Sequence, residues 1–164
     1  MIKKINILIL TMFGIGYSKY APGTVASFVT SLIFIFLYSF QINILFLILI
    51  ITGVFIYSTY AIDNLKNYFN ETDATEIVID EFIGQAIPIL TIYSFVAKND
   101  FNNFILYTLL SFVLFRLFDI TKPYPINKID REIKNGFGVM FDDVVAGIYS
   151  SIVLLVIISF LLYE

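Results

Sequence analysis

The sequence VVAGIYSSIVLLVIISFLLY, residues 144–163, decides the fold class of this chain. It is a long apolar run, interrupted only by small or hydroxyl-bearing residues, and it contains no charged side chain. About 20 such residues in a helix cross the roughly 30 Å hydrocarbon core of a bilayer. The run therefore predicts a transmembrane helix in the last part of the chain.

Four further apolar stretches precede this run, at residues 25–40, 44–62, 82–97 and 104–118, and only 44–62 approaches the same length. Because lipid offers no hydrogen-bond partners to the backbone, such segments must be helices. The composition agrees, since the 164 residues are 59% hydrophobic and only 14% charged, whereas soluble domains contain about 25% charged residues. We predict an all-α integral membrane bundle of about four to five spans, forming a single domain over residues 1–164.

The basic residues are distributed asymmetrically between the two sides of the predicted spans. If the amino terminus is cytoplasmic and the spans alternate, the cytoplasmic side receives Lys3, Lys4, Lys19, Lys66, Lys122, Lys128, Arg131 and Lys134. Arg116 then lies near the inner boundary and only Lys98 falls outside, as the positive-inside rule requires. The same map places the acidic residues Asp63, Asp80, Glu81, Asp119, Asp142 and Asp143 at one end of the bundle. Of these, Asp63 is expected to end the second span in water, and residues 130–134 are expected to form a solvated surface.

Two residue types are missing. The chain contains no cysteine and no histidine, which excludes phosphatase mechanisms that use a Cys or His nucleophile. It also excludes thiol and imidazole metal ligands. A metal site in this protein must therefore hold a hard cation through oxygen ligands.

Acidic pairs occur next to two of the predicted spans. Asp80 and Glu81 lie within the apolar stretch IVIDEFIGQAIPIL, residues 77–90, and Asp142 and Asp143 are expected in the first turn of the last helix. A solvated helix end would account for the first pair alone, and favourable placement at a helix N-terminus would account for the second. Thr72 or Asp73 is expected to cap the helix that contains Asp80. Burying adjacent carboxylates is costly, however, and a divalent cation would neutralise them. Together with Asp119, the two pairs predict a site for one or two Mg²⁺ ions.

Two polar segments could bind an anion. In RLFDITKPYP, residues 116–125, Arg116 and Asp119 are three residues apart, so they form either a simple salt bridge or, with Lys122, a phosphate site beside the metal. In GIGYSKYAPGTVAS, residues 14–27, the glycine-rich loop with Lys19 and Thr24 precedes a helix. That segment is either an anion site or a turn capped by Thr24 or Ser27.

The motifs APGTVAS, IVIDEFIG, FRLFDITKPYPI and GFGVMFDDVVAG, in this order, resemble the phosphatidylglycerophosphatase A family of bacterial lipid phosphatases. The resemblance covers residues 14–147. It implies an Mg²⁺-dependent enzyme of the bacterial inner membrane that hydrolyses phosphatidylglycerophosphate to phosphatidylglycerol and inorganic phosphate by activating water, with its site facing the cytoplasm.

The expected roles follow from the resemblance together with the residue patterns. The predicted metal ligands are Asp80, Glu81, Asp142 and Asp143. The predicted catalytic residues are these four and Asp119, and the predicted substrate-binding residues are Lys19, Thr24, Arg116 and Lys122. The expected partners are the lipid substrate and the bilayer, with no nucleic acid, and nothing in the sequence identifies a protein partner. The alternatives are a small cation transporter or channel, and a phosphatase for another membrane lipid phosphate.

Overall fold

The computed structural model describes residues 2–69, 72–96 and 100–163, and the regular structure within these ranges is helical. The helices are α1 (Ile2–Leu10), α2 (Pro22–Ser39), α3 (Ile44–Phe69), α4 (Ile79–Phe95), α5 (Phe101–Thr121), α6 (Ile126–Glu132) and α7 (Gly136–Tyr163). A short 3-10 turn, Ile15–Tyr17, follows α1. Helix α3 continues beyond the apolar stretch 44–62 and ends at Phe69, so the polar residues after Ile62 are helical as well.

Four of the described helices are long and apolar enough to cross a membrane. They are α2, α3, α5 and α7. Large apolar side chains are exposed on their outer surfaces, including Leu45, Leu49 and Ile56 on α3 and Ile152 and Phe160 on α7. Such surfaces are expected where helices face lipid. The prediction of a helical membrane bundle is confirmed.

Helix α4 occupies the centre of this bundle. It packs against α2, α3, α5 and α7, and its Ile83, Ala86 and Ile89 are at most 2% exposed. It corresponds to the predicted span 82–97, whose last residue, like Lys98, lies outside the described residues. The apolar stretch 82–97 is therefore the core helix around which the longer helices pack.

Helix α7 begins earlier than the sequence pattern indicated. It starts at Gly136, so Asp142 and Asp143 lie in its second turn and not in its first, and the expectation of a first-turn position was wrong. Two side chains stabilise the early start. The Asn135 side-chain oxygen accepts a hydrogen bond from the Gly138 amide at 3.0 Å, and the Asp63 carboxylate accepts one from the Gly136 amide at 2.7 Å.

The predicted side-chain caps of α2 and α4 are also wrong. Helix α2 is preceded by Ala21 and begins with Pro22, whose fixed φ suits a first helical position and which needs no acceptor. The Ser27 hydroxyl donates instead to the Gly23 carbonyl inside the helix, at 2.8 Å. Helix α4 is preceded by Val78, not by Thr72 or Asp73. The Val78 amide donates a hydrogen bond to the Leu10 carbonyl, which fixes the start of α4 to the end of α1.

Candidate metal and phosphate site

Three carboxylates from two helices meet at one end of the bundle. Asp80 and Glu81 project from the first turn of α4 and Asp143 from the second turn of α7. One oxygen atom from each lies within 4.8 Å of the others, which is close enough for a shared metal ion. Asp80 and Asp143 are 8% and 4% exposed, so this acidic centre is buried.

A close crossing of α4 and α7 brings these carboxylates together. A Cβ atom at Gly84 would lie 2.8 Å from the Asp143 carbonyl oxygen, and one at Gly147 would overlap the Gly84 carbonyl oxygen. Only glycine permits this approach. Pro88 contributes because it has no N–H to donate to the Gly84 carbonyl, which is then free to face α7.

The acidic centre lacks full compensation from the protein itself. Among the described residues, no lysine or arginine forms an ion pair with Asp80 or Asp143. The buried Oε2 atom of Glu81 has no hydrogen-bond partner. Burial raises the pKa of Asp80 well above its ordinary value, and the neighbouring Glu81 and Asp143 carboxylates raise it further. A hard divalent cation with oxygen ligands fits this group, because it would neutralise the buried charges and use the unpaired Glu81 oxygen.

Arg116 and Asp119, near the end of α5, border the acidic centre. The Arg116 guanidinium forms an ion pair with Asp119 one turn away, and its Nη1 lies 3.8 Å from Glu81 Oε1. Its buried Nε has no acceptor among the described residues. A guanidinium with an unused N–H beside a carboxylate of the acidic centre is suited to an anionic oxygen of a phosphate.

The start of α2 forms another wall of this site. A Cβ at Gly23 would overlap a Glu81 carboxylate oxygen and lie 3.2 Å from Arg116 Nη1, so the α2 backbone lies directly against both side chains. No side chain caps this helix start. Thr24, in the same turn, is half-buried, whereas Lys19 is exposed in the preceding loop. The structure thus places the backbone at the start of α2 at the site. Lys19 lies at the surface, in the loop that precedes α2.

Asp142 and Lys122 form a separate ion pair beside the acidic centre. Lys122 Nζ lies 2.9 Å from Asp142 Oδ2 and 2.9 Å from Asp130 Oδ1. Burial alone would lower the pKa of Lys122, but these two hydrogen bonds outweigh that effect and raise the pKa above its ordinary value. Asp142, predicted as a metal ligand, is therefore not brought into the group formed by Asp80, Glu81 and Asp143.

Sequence reasoning missed three residues that shape the site. Gly23 was considered only as part of a loop that is either an anion site or a capped turn, although a glycine at a helix start permits a close approach to the backbone. Asp130 was expected to be a solvated surface residue and pairs with Lys122 instead. Asp63 was expected to end a span in water, and it bonds the first amide of α7. No local pattern identifies the last two, because both contacts join distant elements.

The comparisons with known proteins agree with the arrangement of motifs around this site. A family model described as phosphatidylglycerophosphatase A matches residues 8–158. The chain belongs to the phosphatidylglycerophosphatase A family. The resemblance drawn from the sequence motifs is confirmed, and the family identifies the chain as a lipid phosphatase of the membrane.

Three relatives cover most of the chain. The sequence is 33% identical over 161 residues to the phosphatidylglycerophosphatase A of Haemophilus influenzae, covering 95% of this chain and 93% of the relative. It is 33% identical over 144 residues to that of Escherichia coli, covering 88% and 78%. It is also 37% identical over 154 residues to a Bacteroides thetaiotaomicron protein named "Putative phosphatidylinositol-3-phosphatase", covering 92% and 91%. No solved structure matches the chain significantly.

Proposed function

We propose that this protein hydrolyses phosphatidylglycerophosphate to phosphatidylglycerol and inorganic phosphate, using Mg²⁺ at the cytoplasmic face of the bacterial inner membrane. The observation that supports this most directly is the buried group of Asp80, Glu81 and Asp143 beside Arg116. The names of the Haemophilus and Escherichia relatives supply the substrate. The basic residues that alternation of the spans places at this end of the bundle support the orientation.

The acidic residues divide into two roles. Asp80, Glu81 and Asp143 would hold the divalent ion, which when bound polarises the phosphate and makes water a stronger nucleophile. Asp119 lies outside this group of three and is held in place by Arg116. Because the chain has no histidine, we assign Asp119 as the carboxylate that accepts the proton of the attacking water.

The basic residues and the α2 start bind the phosphate. Arg116 directs its unused Nε–H toward the phosphate oxygens, and the free backbone N–H groups at the start of α2 add further donors. Thr24 lies in the same turn and contributes there, while the exposed Lys19 attracts the anionic headgroup at the membrane surface. When the bond between phosphorus and the glycerol oxygen breaks, the leaving oxygen takes up the proton that Asp119 accepted from water. Phosphatidylglycerol then leaves with a hydroxyl group and the phosphate is released to the aqueous side.

A second candidate substrate is supported by one relative. The Bacteroides protein carries a name that refers to phosphatidylinositol 3-phosphate, which is also a lipid phosphomonoester. The same metal and guanidinium chemistry would serve either headgroup, because both present a terminal phosphate to the membrane surface. A cation channel is disfavoured, since Asp80, Glu81, Asp119, Asp142 and Asp143 gather at one end of the bundle and a conduction path needs polar groups along its length.

The test is phosphate release by the purified full chain in lipid nanodiscs containing phosphatidylglycerophosphate, phosphatidylinositol 3-phosphate or phosphatidic acid, with and without Mg²⁺. We expect the first lipid to be hydrolysed fastest, and only with the metal. Asp80→Asn and Asp143→Asn should each lower kcat/KM by roughly 100-fold or more. Glu132→Gln, at an exposed carboxylate of α6, is the matched control and should have no effect. If another lipid were hydrolysed faster, that lipid would replace phosphatidylglycerophosphate as the assigned substrate. Full activity of both Asn variants would contradict the assignment of Asp80 and Asp143 as metal ligands.

A further inference from the structure

Lys122 is fixed in place by the backbone as well as by its side chain. It is the C-cap residue of α5, its φ of 41° is left-handed, and its amide donates to the Phe118 carbonyl at 2.9 Å. Pro123 follows and prevents the helix from continuing. This geometry turns the lysine side chain away from the axis of α5 and toward α6 and α7.

Two carboxylates from two different helices hold its ammonium group. Asp130 of α6 and Asp142 of α7 both lie 2.9 Å from Lys122 Nζ. The other oxygen of Asp142, Oδ1, accepts the Asp143 amide at 3.0 Å. Both oxygens of Asp142 therefore already have donors within the chain, although Asp142 is adjacent in sequence to a residue of the acidic centre.

An ammonium ion between two carboxylates is in the same chemical position as a metal ion between them. Asp142 is 6% exposed, so its charge needs a partner, and the lysine supplies one positive charge without coordination chemistry. Hydrolases with two metal ions use carboxylates placed around both positions. In this chain Lys122 lies between two such carboxylates, beside the acidic centre.

We propose that Asp130 and Asp142 hold the Lys122 ammonium as a resident cation, in a position that would otherwise accept a second divalent ion beside the acidic centre. Asp130 is then a positioning residue, which acts through Lys122. The inference rests on the proposed function for the first metal position only. It assigns Asp142 to Lys122 and leaves the divalent ion to Asp80, Glu81 and Asp143.

The test counts Mn²⁺ ions bound per chain by the full-length protein in nanodiscs, from the electron paramagnetic resonance signal of free Mn²⁺ during titration. We expect one ion for the wild type and two for Lys122→Met, which keeps the side-chain length and removes the charge. Removing a carboxylate as well, in the double variant Lys122→Met with Asp130→Asn, should return the count to one. Lys128→Met, at an exposed lysine of α6, is the matched control and should bind one ion.

The possible counts separate this inference from the metal assignment itself. Two ions in the wild type, or one in Lys122→Met, would overturn the inference and leave the first metal position intact. No ion in the wild type but one in Lys122→Met would overturn the first metal position and, because the inference places the second ion beside it, the inference as well. No ion in either protein would overturn both. Lys122→Gln provides a second charge-free variant if the methionine variant does not elute as a folded monodisperse protein.

Discussion

Replacing Gly84 by alanine tests whether the α4–α7 crossing sets the geometry of the acidic centre. The new Cβ would lie 2.5 Å and 2.6 Å from two atoms of the Phe115 ring and 2.8 Å from the Asp143 carbonyl oxygen. The ring can rotate, but the carbonyl belongs to the backbone of α7. Since ordinary contacts begin at 3.4 Å, the two helices must separate by about 0.6 Å at this point.

This separation has two measurable consequences. Overpacking costs about 1–3 kcal/mol, and the gain in helix propensity from replacing glycine returns about 0.5–1 kcal/mol, so a net loss of stability on the order of 1 kcal/mol is expected. The separation also moves Asp80 and Glu81 relative to Asp143. Because a displacement of about 1 Å can cost roughly 100-fold in rate, we expect kcat/KM to fall roughly tenfold and the apparent Mg²⁺ affinity to fall with it.

The assay is phosphate release in nanodiscs over a Mg²⁺ titration, with the thermal unfolding midpoint recorded for the same samples. Gly53→Ala is the matched control, because a Cβ at Gly53 of α3 has no atom within 4 Å. It should keep wild-type activity and Mg²⁺ dependence. Wild-type Mg²⁺ dependence and rate in Gly84→Ala would refute the claim that this glycine contact determines the spacing of the carboxylates.

Three further outcomes are expected. Asp63→Ala removes the acceptor of the Gly136 amide, so the free energy of unfolding should fall by about 1 kcal/mol and the thermal unfolding midpoint should fall with it. An unchanged midpoint would show that water replaces this cap. Arg116→Lys keeps the charge but cannot serve Asp119 and a phosphate oxygen together, so KM should rise roughly tenfold, and an unchanged KM would remove the arginine from substrate binding. Chelation with EDTA should stop phosphate release and Mg²⁺ should restore it, whereas continued release in EDTA would exclude a metal-dependent reaction.

Much of the fold was predictable because apolar runs report on helices directly. The stretches 44–62 and 144–163 became α3 and α7, which the structure extends at one end only. The extensions are polar or glycine-rich and have no apolar pattern, so their helical state depends on contacts with other elements. The bond from Asp63 to Gly136 is such a contact, and neither residue signals it locally.

The candidate site was predictable to a different degree for each residue. Asp80, Glu81 and Asp143 were predicted as metal ligands, and the structure brings them together. Asp142 was predicted with them because adjacent acidic residues in a sequence cannot be distinguished by composition. Its pairing with Lys122 depends on the left-handed turn at the end of α5 and on the position of α6, which are properties of the folded chain.

The spacing of acidic residues and glycines nevertheless explains which member of the last pair joins the centre. Asp80 precedes Gly84 by four residues, and Asp143 precedes Gly147 by four. Residues four apart lie on the same face of a helix, so each of these carboxylates lies on the face where α4 and α7 approach through their glycines. Asp142 is one residue earlier, which rotates it by about 100° around α7 and away from this contact. In lipid, small residues and not hydrophobic burial bring helices together, and so the glycines that pack α4 against α7 also bring Asp80 and Asp143 to the same contact.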